Sequence, residues 1–126
     1  MDDRSASIKI GGQEYELLLT IRATKEIGKK YGGLAELGET LMTAQKFDDV
    51  LSEVMWLLVL LANQPIHAYN LTHKDSPKDL LTEEMVELLM IPSDLVDFKD
   101  AIMIAINKGM NREILSVEDG KNQQAG

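Results

Sequence analysis

Residues 8–31 read IKIGGQEYELLLTIRATKEIGKKY, and Gly32-Gly33-Leu34 follow at once. Two short runs alternate apolar and polar residues on either side of Gly11-Gly12. Ile8 and Ile10 share one face of the first run, and Tyr15, Leu17 and Leu19 share one face of the second. Lys9, Glu14 and Glu16 turn away. Alternation of period two is the pattern of a half-buried strand, and a Gly-Gly pair tolerates the positive φ of a two-residue hairpin turn. Thr20 stands where a helix N-cap is wanted, since its oxygen can accept from a free backbone N–H of the first turn. Ile21, Thr24, Ile27 and Tyr31 then recur at helical spacing, and Gly32-Gly33 supplies the stop. The stretch predicts a β-hairpin over residues 7–20 that leads without a linker into a helix.

Downstream the periodicity is helical throughout. Leu34, Leu37 and Leu41 predict a short second helix ending near Met42. Residues 47–63 form the strongest helix, with Asp48 and Asp49 in its first turn, where acids complement the dipole. Its apolar face runs Phe47, Val50, Leu51, Val54, Leu57, Leu58 and Leu61, while Met55, Trp56, Val59 and Leu60 cover much of the rest. Residues 64–76, edged by Pro65 and Pro77, read as a loop with at most one turn of helix around His67-Ala68-Tyr69. Leu81, Met85, Leu88 and Leu89 predict one helical face, capped by Thr82. A last helix over residues 93–108 packs through Leu95, Phe98, Ile102 and Ile106. It carries a second apolar surface from Ala101, Met103, Ile104 and Ala105, and Gly109 closes it. The expectation is one α+β domain, mostly α, over residues 1–110: an N-terminal hairpin, then four or five bundled helices over 21–109. Residues 111–126 are expected to form a flexible tail.

Composition narrows the function. The net charge is −8, with 13 Lys and Arg scattered among 21 Asp and Glu, and this argues against nucleic acid and anionic membrane as partners. With no cysteine, thiolate nucleophiles, disulfides and Cys-based zinc sites are excluded together. The N-terminus lacks the apolar stretch of a signal peptide, and the longest apolar run, 54–62, is shorter than the roughly 20 residues that span a bilayer. A cytoplasmic protein is expected. His67, His73 and Asp75 match no compact ligand spacing and read as solvated surface groups. The adjacent acids 48–49 and 83–84 sit at helix starts, where the dipole accounts for them. On a helix such neighbours point about 100° apart and make no acid/base dyad. No phosphate-loop or nucleophile-elbow pattern occurs. No enzyme, no cofactor and no metal are expected.

Short strand, Gly-Gly turn, Glu-Tyr-x-Leu-x-Leu-Thr, helix and aromatic-Gly-x-Leu together resemble the small tail assembly chaperones of long-tailed bacteriophages and related gene transfer agents. The matching residues are Gly11, Gly12, Glu14, Tyr15, Leu17, Leu19, Thr20, Ile27, Tyr31, Gly32 and Leu34, in the first half of the chain. The resemblance implies a non-catalytic chaperone, acting in the host cytoplasm and absent from the finished virion. Its client would be the helical tape measure protein, kept soluble while tail tube protein assembles around it. From the residues themselves, surplus apolar helix surface predicts a partner-binding face, with Trp56, Val59, Leu60, Met103 and Ile104 as candidates. The alternative is a helical homo-oligomeric module, structural or regulatory, in which those faces meet across a symmetric interface.

Overall fold

The computed structural model describes residues 5–43 and 46–121, with side chains through residue 110. Strands β1 (Ser5–Ile10) and β2 (Gln13–Leu18) precede helices α1 (Ile21–Tyr31), α2 (Leu34–Thr43), α3 (Phe47–Thr72), α4 (Glu83–Leu89) and α5 (Asp94–Lys121). The protein is α+β and mostly helical, a hairpin followed by five helices.

The strands pair antiparallel, with Ile8 opposite Tyr15 and Ala6 opposite Leu17. Gly11 and Gly12 have φ of 59° and 82°, the pair of positive values that a type I′ turn requires. Ile8, Ile10, Tyr15 and Leu17 thus converge on one buried sheet face. That face lies across two helices, β2 chiefly on α3 and β1 chiefly on α5. Beneath it Val54, Leu57, Leu58 and Leu61 of α3 and Ile102 of α5 are completely enclosed. Both expected N-caps form: the hydroxyl oxygens of Thr20 and Thr82 accept from the N–H of Ala23 and Met85. Gly32, with φ of 101°, ends α1 in the left-handed region and donates its N–H to Gly28 O.

Four sequence expectations need correction. The loop expected over 64–76 is largely helix, because α3 continues through Pro65 to Thr72. A proline there removes the N–H that would bond Leu61 O, a penalty of about 3 kcal/mol in isolation. Tertiary bonds on either side offset it. Gln64 accepts from the Thr20 hydroxyl at 2.5 Å and donates to Leu60 O, and Asn63 and Asn70 hold the returning chain. As a consequence α3 is 26 residues, long and apolar enough by length and composition to cross a bilayer, where the 54–62 run alone is not. In this fold it is the core helix.

The second correction concerns α4. Val86 points inward with Leu81, whereas Leu88 and Leu89, expected on the packed face, are exposed. Third, Ala101 and Ala105, expected on a surplus surface of α5, are core residues. Fourth, α5 does not close at Gly109 but runs to Lys121; residues 122–126 of the expected tail lie outside the described residues.

The chain after α3 is fastened by two asparagines. Asn63 Nδ2 donates to Leu81 O and its Oδ1 accepts from Leu81 N, both at 2.8 Å. Asn70 does the same to Lys78, at 3.1 and 2.9 Å. Seven residues of helix rise about 10.5 Å, and three residues of extended chain span about 10 Å. The two clasps therefore match only if residues 78–81 run nearly extended and antiparallel to α3.

Candidate functional site

The N-terminal half of α3, α4 and the turn into α5 enclose a groove of about 390 Å³. Its walls are mainly apolar: Leu51 and Met55 from α3, Val86 and Met90 from α4 and its cap, then Ile91 and Pro92. Asp48 and Glu87 stand at the same groove as its acidic members. Val86 is the one residue of α4 that is fully buried, while Met85 and Met90 beside it are only partly buried against the core. Ile91 is 56% exposed and Leu88, three residues earlier, 75%, so apolar surface continues outside the groove. Unbranched methionines suit such a wall, since a thioether chain adapts to differently shaped partners. Two bonds close the turn: Ile91 N–H donates to Asp94 Oδ2 at 3.0 Å, and Asp94 N–H returns to Ile91 O at 2.9 Å.

The five residues expected at a partner surface are placed differently. Trp56 is half-buried and meets Tyr31 edge to face at 6.0 Å between ring centres, with Lys30 Nζ 5.0 Å above its ring. It joins α1 to α3. Val59, Leu60 and Met103 are half-buried and packed on the core, and Ile104 is exposed on α5. None of the five lines the α3–α4 groove. The signal for that groove was in the sequence, as Met55 and Met90 with Ile91-Pro92. Reading it required knowing that α4 packs through Val86.

Beside Trp56, the Tyr31 hydroxyl donates to Glu53 Oε1. Burial first, then the hydrogen bond and negative charge of Glu53, hold that hydroxyl protonated far above the ordinary tyrosine range. A raised folded-state value means that this contribution is whole below the unfolded value and is lost as pH rises through the alkaline range. The stability difference between wild type and Tyr31→Phe is therefore expected to shrink from about pH 8 to about pH 11 in urea titrations. A constant difference would show that the Tyr31–Glu53 pair does not persist in solution.

Among the described residues no three His, Asp or Glu side chains come together as metal ligands. His73 instead stacks on Tyr69 at 3.7 Å, with Lys78 Nζ 4.3 Å from that ring. What the geometry can do is accept an apolar side-chain row between two helices. Comparison with protein-family models, with curated proteins and with solved structures yields no match to this chain.

Proposed function

We propose that the chain is a non-catalytic binding protein that holds an apolar helical segment of another polypeptide in the α3–α4 groove. The observation that carries this reading is an open cleft lined by Met55 and Met90, with the buried Val86 in its wall and exposed Ile91 at its lip. Helix-in-groove recognition uses such surfaces, with anchors spaced three and four residues apart on the bound helix. The resemblance of the hairpin and α1 to tail assembly chaperones supplies the client: the tape measure protein, held before tail tube protein encloses it. Action in the host cytoplasm, and absence from the finished particle, belong to the same proposal.

The test is co-expression with the long helical protein encoded just downstream, followed by size-exclusion chromatography with light scattering. The client is expected to become soluble and to co-elute. Ile91→Asp is expected to abolish co-elution by at least about tenfold in affinity, because it places a charge where an apolar side chain must dock. The substitution precedes the N-terminus of α5, where a negative charge is tolerated, so the fold should survive. A client that stays insoluble, with this chain running alone as a fixed oligomer, would favour the homo-oligomeric module instead.

A further inference from the structure

A second groove, of about 720 Å³, lies at the other end of α3, between the outer edge of β2 and the clasped segment 77–80. Its floor includes Ala62, Pro65 and Ile66 of α3. In a two-residue hairpin the residues flanking the turn form a hydrogen-bonded pair. The alternation then makes Ile10–Gln13, Ile8–Tyr15 and Ala6–Leu17 the bonded pairs. The peptide groups of Glu14 and Glu16 must therefore point away from β1, toward this groove. Among the described residues nothing pairs with them. On the opposite wall the two asparagines occupy the peptide groups of Lys78 and Leu81 from the α3 side, and among the described residues nothing pairs with those of Asp79 and Leu80.

We infer that this groove takes an extended, basic peptide segment of a partner protein, added as a third strand along β2. A strand there would gain main-chain bonds from Glu14 and Glu16, and its side chains would alternate between two surroundings. One set would stand beside the carboxylates of Glu14 and Glu16, where cross-strand opposite charges are favourable. The other would lie over Pro65 and Ile66. Asp79 adds a third carboxylate to the lining, while Lys78, the single cation there among the described residues, is engaged over Tyr69. The complement of that surface is alternating Lys or Arg with apolar residues. This surface is separate from the α3–α4 groove and stands or falls without it.

The probe is an acetylated, amidated hexapeptide of alternating lysine and valine, compared with its glutamate-valine counterpart and with a copy N-methylated at alternate residues. Amide exchange and nuclear magnetic resonance titration of the full chain report the site. The lysine peptide is expected to slow exchange at Glu14 and Glu16, and both other peptides to bind at least about tenfold more weakly. Glu14→Gln with Glu16→Gln should weaken the lysine peptide by a similar factor while keeping side-chain shape. Equal binding of the lysine and glutamate peptides, binding without slowed exchange at Glu14 and Glu16, or no binding would each overturn the inference. So would a dimer in which those amides are already protected without peptide, because a second copy would then hold the edge.

Discussion

Asn63→Ala is expected to lower the unfolding free energy by about 2–4 kcal/mol, because it strands a buried donor and a buried acceptor together. Leu81 is 1% exposed, and its peptide N–H and C=O are both satisfied by the one Asn63 amide. Truncation removes both partners of the Leu81 peptide at once. Asn70→Ala deletes the same pair of bonds to Lys78, but Lys78 is exposed and water can take over. That variant should lose no more than about 1 kcal/mol. Urea unfolding followed through the fluorescence of Trp56, the single tryptophan, measures both. Equal losses at the two sites would mean that water reaches Leu81 and that the clasp is not dry. A large loss at Asn63 alone would establish burial, not bond geometry, as what makes this segment part of the core.

Gly109→Ala and Gly38→Ala should move stability in opposite directions, although both replace glycine inside a helix. Alanine in a helix interior is favoured by roughly 0.5–1 kcal/mol, since the unfolded chain loses freedom. At Gly38 of α2 a new Cβ meets nothing within 4 Å, so that gain should be realised in full. At Gly109 of α5 it would lie 2.7 Å from Leu19 Cβ and 3.0 Å from Leu19 Cδ2. A Cβ cannot swing aside as a side-chain tip can, so α5 or the end of the hairpin must shift. The net effect is expected to be a loss of about 1–3 kcal/mol, the usual result of overpacking. Melting curves of the two variants, run beside the wild type, decide the matter by sign. A stabilised Gly109→Ala would place α5 further from Leu19 than the structure has it.

Gly109 also illustrates what local reading could and could not find. Read along the chain, a glycine after Lys108 is a helix stop. In the fold it is a point of close approach inside α5, and the reason lies 90 residues away at Leu19. Pro65 poses the same difficulty. Locally it breaks a helix, whereas in the fold the Thr20–Gln64 bond and the Asn63 and Asn70 clasps hold α3 on either side of it. For α4, Leu88 and Leu89 carry as much apolar surface as Val86, so periodicity could not say which side α3 would cover. The surroundings of Trp56 were beyond local reading for a related reason. Trp56 looked surplus on its own helix, and Tyr31 and Lys30 come to meet it only through the turn at Gly32.

The hairpin, its Gly-Gly turn, the N-caps at Thr20 and Thr82 and the stop at Gly32 were all decided by the sequence itself. Each rests on hydrogen bonds or φ preferences among residues within a few positions of one another. Fold class followed from the same local signals, because two alternating runs and several helical periods leave little else to build. Tertiary structure alone decided the length of α3, the inward face of α4, the role of Gly109 and the two grooves. These depend on which surfaces meet across long stretches of chain. Apolar burial is non-directional and goes to whatever area is nearest once the chain has closed, so no periodicity within one helix can announce it.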